Sequence, residues 1–213
     1  MIKKEFCAEN FTRVPHAIDQ GADRIELCDR LDLGGTTPSR DVQRQTIAYA
    51  HARNVEVVCM IRPRGGSFCY TMTEKTAMLK AAEAAVENGA DGIVFGALTE
   101  ENTVDWPFID ELLKCAGKKQ TVFHMAFDFI PKDKQLAALN GLTERKVTRL
   151  LTRGGQTGSA IENSSWINVL VREAEGKIEI LAGGGLTHSN LNPAVKTIQT
   201  NQFHGTKIVD IES

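Results

Sequence analysis

Short apolar runs alternate with amphipathic stretches along the whole chain. The runs are predicted as strands over Ile2–Cys7, Arg24–Cys28, Val55–Ile61, Gly92–Phe95, Thr121–His124, Val147–Leu151, Ile178–Ala182 and Gln202–His204. Helices are predicted between them, over Phe11–Gln20, Arg40–Arg53, Glu74–Asn88, Pro107–Ala116, Asp133–Leu142, Ser164–Glu175 and Thr187–Thr200. Met78, Leu79, Ala82, Ala85 and Val86 share one face at helical spacing. Ser39 stands as a cap before the second helix, and Thr73-Glu74 opens the third. Gly89 follows the third, where a left-handed residue is needed. Pro107 falls in a first turn, which accepts proline.

An internal repeat supports this alternation. Gln20-Gly21-Ala22-Asp23-Arg24-Ile25-Glu26-Leu27 resembles Asn88-Gly89-Ala90-Asp91-Gly92-Ile93-Val94-Phe95. The offset is two βα units of about 34 residues each. Eight strands in strict β–α order predict one domain over residues 1–213, a closed TIM-type (β/α)8 barrel. A doubly wound sheet is the alternative, but no G-x-G-x-x-G follows the first strand. Only Gly205–Ser213 follow the last strand, too few for an eighth helix. The expectation is therefore a barrel lacking its last helix, or a chain short of its natural end. The face left open would be apolar and covered by a second copy, so a homo-oligomer (dimer or larger) is expected.

Composition narrows the class. The chain is 42% hydrophobic and 24% charged, with a formal net charge of -2. Such a chain has no basic field for nucleic acid. No apolar run approaches the roughly 20 residues that span a bilayer. The start Met1-Ile2-Lys3-Lys4-Glu5 carries no apolar leader, which predicts a cytosolic protein without a membrane partner. The five cysteines, Cys7, Cys28, Cys59, Cys69 and Cys115, form no C-x-x-C pair. They predict buried thiols, not a disulfide framework.

Side chains alternate along a strand, and the outer face of a barrel packs on helices. Ile2, Phe6, Ile25 and Leu27 suit that outer face. Lys3, Glu5 and Cys7, with Arg24, Glu26 and Cys28, then point inward. Side-by-side strands would set Glu5 near Glu26 and Cys7 near Cys28. Lys3 and Arg24 would neutralise the two carboxylates, because unpaired charge inside a barrel is costly. The cluster is either a polar plug that fixes register or a pocket at the barrel mouth.

Further polar groups end the other strands. Arg62 and Arg64, in Arg62-Pro63-Arg64-Gly65-Gly66, would grip an anion, or Arg62 would serve as counter-charge to Glu26. His124 with Asp128 offers acid–base chemistry. Gly184, in the run Gly183-Gly184-Gly185, and His204 fall in the loops with which barrels often bind phosphate.

Several strings carry a family resemblance. They are Glu5-Phe6-Cys7, Gly21 to Cys28, Gly34-Gly35-Thr36-Thr37-Pro38-Ser39, Ile61 to Gly66 with Phe68-Cys69-Tyr70, Phe123-His124 with Ala126-Phe127-Asp128, and His204-Gly205. Together they resemble the CutC family, linked by name to copper homeostasis, over residues 2 to about 206. The resemblance implies a cytosolic, oligomeric TIM-type barrel with Cys7 and Cys28 as Cu(I) ligands. Met125, Arg153 and Thr206 stand where the family pattern has arginine, serine and serine.

Two functions follow. One is Cu(I) binding by Cys7 and Cys28, helped by Cys59, Cys69 or Met60, since thiolates are soft ligands. The other is an enzyme acting on a small anionic or carbonyl substrate. In it Glu26, His124 and Asp128 would move protons, and Glu5, Arg62, Arg64, Gly184 and His204 would bind the substrate.

Overall fold

A computed structural model describes residues 2–211. Eight parallel strands close into a barrel in sequence order. They are β1 (Lys3–Glu9), β2 (Arg24–Cys28), β3 (Glu56–Met60), β4 (Gly92–Phe95), β5 (Gln120–Phe123), β6 (Arg149–Thr152), β7 (Glu179–Gly183) and β8 (Gln202–Gly205). The helices between them are α1 (Val14–Asp19), α2 (Arg40–His51), α3 (Met72–Glu87), α4 (Trp106–Ala116), α5 (Lys132–Glu144), α6 (Ser164–Ala174) and α7 (Leu191–Thr197). The TIM-type barrel predicted from the pattern is the fold.

Local signals explain the helix ends. Ser39 Oγ accepts from the Val42 N–H at 3.4 Å, capping α2. The third helix begins earlier than predicted, because Thr71 and Glu74 form a reciprocal capping box one turn upstream. Two 3-10 turns, Leu31–Leu33 and Met125–Phe129, interrupt loops that the pattern left unassigned.

The alternation of each strand sorts its side chains. Phe6, Ile25, Leu27, Phe95, Phe123 and Phe203 join the outer core against the helices. Inside, three levels stack along the axis. The N-terminal end is polar, with Arg24, Arg149, Glu56, Glu179 and Gln202 around a cavity of about 400 Å³. The middle is apolar, built from Val58, Val94, Val122, Leu151 and Leu181. The C-terminal mouth gathers Cys7, Glu26, Cys28, His124 and His204.

The register differs from the side-by-side expectation. Glu5 lies opposite Arg24, Cys7 opposite Glu26, and Glu9 opposite Cys28. Strand tilt in a closed barrel staggers neighbours, so equal sequence positions do not share a level. Consequently Arg24 ion-pairs with Glu5, while Lys3 turns to Glu56 at 3.6 Å and leaves Glu26 to other partners.

Among the described residues no helix follows β8. The expected open face is nevertheless closed. Ile208 and Val209 are buried in the same apolar layer as Phe203. A short segment of turns and bends carries these two residues onto it. No helix of the described residues is long and apolar enough to cross a membrane.

Candidate metal centre at the barrel mouth

The mouth encloses a cavity of about 110 Å³. One wall is soft and acidic. Cys7 Sγ lies 3.2 Å from Glu26 Oε2, and Cys28 Sγ lies 3.6 Å from the same oxygen. His204 Nε2 is 3.6 Å from that oxygen too. Its Nδ1 is 2.8 Å from Glu5 Oε1. Ligand atoms of Cys7, Glu26 and His204 fall within 4.8 Å of one another. Gly35 makes room for Cys28: a Cβ there would sit 3.2 Å from Cys28 Sγ, and its φ of +85° favours glycine.

Burial and pairing set the charges. Burial works to raise the Glu5 carboxyl, but Arg24 and then His204 hold it at about 2. Burial would lower the His204 imidazole, yet Glu26, Cys7 and Glu5 hold it well above its ordinary value. The Cys28 thiol lowers Cys7 well below the usual thiol range, against burial, with His204 assisting. The same contact raises Cys28, and burial adds to it. Burial pushes Glu26 well up; His204 opposes this, and Cys7 and Glu5 reinforce it. These pulls favour the charged forms of His204 and Cys7 and the neutral forms of Cys28 and Glu26.

The opposite wall is built from Arg62 and His124, with Phe68 and Met125 beside them. Arg62 Nη1 donates to the carbonyls of Leu33, Gly34 and Gly35, and Nη2 donates to Gly66. It therefore clamps the β2–α2 loop over Cys28, and no acidic residue pairs with it among the described ion pairs. The expected counter-charge role toward Glu26 is not the arrangement found. His124 Nδ1 accepts from the Ala126 N–H at 3.1 Å, which fixes the proton on Nε2. Burial and then Arg62 push the imidazole down to about 3, so it is neutral. Gly96 seats the ring, since a Cβ there would fall 2.5 Å from its Cε1 and Nδ1. Gly96→Ala should cost about 1–3 kcal/mol in a urea titration. Unchanged stability with unshifted His124 ring resonances would show that the ring is not wedged.

Four anticipated site residues stand apart from the cavity: Glu5, held by Arg24 and His204, and then Asp128, Arg64 and Gly184. Asp128 accepts from the Thr152 hydroxyl and from the Arg153 N–H at 2.9 Å, and burial raises it to about 6. It braces the end of β6 and does not meet His124 chemically. Arg64 pairs with Glu74 and donates to the carbonyls of Gly65, Ser67 and Cys69, fastening its own loop to α3. Gly184, at φ +96°, packs against Arg153 and accepts from the Ala160 N–H. The helix after it has seven residues and begins at Leu191, four residues later than predicted. Of the helper ligands, Met60 lines the cavity. Cys59 faces the helices, where burial pushes its thiol up to about 12, and Cys69 is half-buried outside. Leu31, Gly34, Phe68, Met125 and Leu151 complete the lining. Gly34, Phe68 and Met125 stood in the strings compared with the family, whereas Leu31 and Leu151 had only their positions near strand ends.

The CutC family model matches residues 2–209. The chain belongs to the CutC family. A CutC family protein of Enterococcus faecalis is 46% identical, over 97% of this chain and 99% of that one. A human copper homeostasis protein cutC homolog is 37% identical, over 94% of this chain and 71% of that one. The crystal structure of a CutC from Streptococcus agalactiae superposes with a TM-score of 0.95 at 41% identity, covering 98% of this chain and 100% of that one. A deoxyribose phosphate aldolase from Aeropyrum pernix shares the barrel, with a TM-score of 0.72 at 15% identity over 99% of this chain and 87% of that one. That likeness is one of fold alone.

Proposed function

We propose that this CutC family member binds Cu(I) at its barrel mouth, through Cys7 and Cys28 with His204 as a nitrogen ligand. The convergence of Cys7, Glu26 and His204 within 4.8 Å, with Cys28 on the same carboxylate oxygen, carries this reading. Two sulfurs and one imidazole suit a soft monovalent ion. Glu26 would take the proton that a ligand thiol gives up. Its Oε1 has no protein partner, although it is buried. The same reading puts the protein in a reducing cytosol, where both thiols stay free. The name borne by the human relative agrees with a copper role.

The test is an anaerobic Cu(I) competition titration against a chromogenic chelator. Cys7→Ser and Cys28→Ser should each weaken binding by about a hundredfold or more. Wild-type affinity in both variants would end the proposal.

The β1–β2 register adds a second prediction. Cys7 and Cys28 are offset by two residues across neighbouring strands. Their Cα atoms are then about 8 Å apart, beyond disulfide reach. Diamide treatment of the native protein should leave both thiols countable by alkylation and mass spectrometry. A Cys7–Cys28 crosslink in folded protein would contradict this.

A proton-transfer enzyme built on Glu26, His124 and Asp128 is less favoured. Asp128 is committed to β6 outside the cavity, and no lysine among the described residues lines it for Schiff-base chemistry.

A further inference from the structure

Met125 reaches across the barrel mouth. Its backbone follows His124 after β5, and its methyl ends at Gly183 on β7, next to His204 of β8. A Cβ on Gly183 would fall 2.8 Å from Leu151 Cδ1, 3.0 Å from Met125 Cε and 3.1 Å from His204 Cδ2. Met125 Cε and His204 Cδ2 thus lie within 3.1 Å of one point, and at most twice that distance separates them. Gly183 has no left-handed φ, so space and not backbone conformation calls for glycine there. On the His204 ring, Nδ1 is taken by Glu5 at 2.8 Å. Nε2, bonded to Cδ2, faces Glu26. Met125 also packs on the cluster that holds Cys7, Cys28 and Met60.

A thioether is polarizable, and an unbranched side chain adapts its shape. Cu(I) accepts thioether sulfur, whereas zinc draws on thiolate, imidazole and carboxylate. The mouth contains both sets. Cys7, Cys28 and His204 with a Glu26 oxygen would suit Zn(II). The same three with a thioether would suit a soft monovalent ion. Met60 is the other thioether in the lining. It is 5% exposed on β3, and its methyl packs near Cys28 over Gly35. Met125 is half-buried on a 3-10 turn and has more room to swing onto an ion.

We infer that Met125 is a further ligand of this site: its thioether joins Cys7, Cys28 and His204 on a soft monovalent ion and sets a preference for Cu(I) over Zn(II). The inference rests on the Cu(I) reading given above and extends it to the choice between metals.

The test uses the full-length protein with ¹³C-methyl methionine, reduced and anaerobic. Cu(I) is delivered from a competing chelator, and Zn(II) is titrated separately. The Met125 methyl should shift most with Cu(I), and more with Cu(I) than with Zn(II). Met78, sealed in the outer core, and Met72, 75% exposed, should stay in place as references. Met125→Leu conserves volume and should fold normally. It should weaken Cu(I) binding about tenfold and change Zn(II) binding less than about twofold. The wild-type methyl shift gives a readout independent of any variant's folding. Equal losses for the two metals would mean that Met125 only packs the mouth, and would overturn the assignment. A Met60 methyl that moves more than Met125 would overturn it as well. Unchanged Cu(I) affinity in Met125→Leu would remove this ligand and leave the Cu(I) site standing. Wild-type protein that takes up no Cu(I) would end the underlying reading, and this inference with it.

Discussion

Arg24→Met is expected to remove about 3–5 kcal/mol of stability, the usual cost of stripping one partner from a buried ion pair. Arg24 is 1% exposed and pairs with Glu5, which is fully buried. The arginine also donates to Gln202 Oε1 at 2.7 Å. Without it, Glu5 keeps the His204 contact and the weaker pull of Arg149, and a buried carboxylate loses its main partner. Urea denaturation at pH 7 measures the loss. Adding Glu5→Gln removes the stranded charge and should restore more than half of it, because the two sites are coupled. A loss under 1 kcal/mol in the single variant would mean that the pair is solvated in practice and that the barrel interior is wetter than its packing indicates.

The second large effect is a pH dependence centred on His124. Its imidazole stays neutral down to about 3 when folded, against 6.5 when unfolded. The unfolded chain therefore takes up a proton that the native state refuses. The histidine's contribution is complete above about pH 6.5 and falls away as pH drops toward 3. The full span is worth about 5 kcal/mol, near 1.4 kcal/mol per pH unit. Asp128 acts in the opposite sense. Its folded value of about 6 exceeds 3.8, so its contribution is complete below about pH 4 and is lost as pH rises through 6. The stability difference between wild type and His124→Phe, followed from pH 7 to 4, isolates the first effect. It should shrink steadily as acid is added. A difference constant with pH would mean that His124 titrates normally and is not sealed in.

Much of this architecture was legible in the residues. The alternation of Phe6, Ile25, Leu27 and Phe203 with Glu5, Glu26 and His204 assigned the inner and outer faces correctly, because helices cover one face only. Stagger was not legible. Nothing in Glu5-Phe6-Cys7 reveals that β2 is displaced by two positions, since that displacement comes from closure of all eight strands. Nearness in sequence also misled. Asp128 is four residues from His124, but a 3-10 turn carries it to Thr152 and Arg153. Arg62 looked like a free anion grip. Its Nη1 donates to three carbonyls of a loop 27 to 29 residues earlier, a pairing that no local motif records. Ile208 and Val209 lie in a tail too short for a helix, and no pattern in it marked them as core residues.

The belt of Val58, Val94, Val122, Leu151 and Leu181 turns the barrel into a vessel with a sealed floor. If the mouth holds an ion as proposed, that ion would have no passage through the belt to the far end, and its entry and its exit would share one opening.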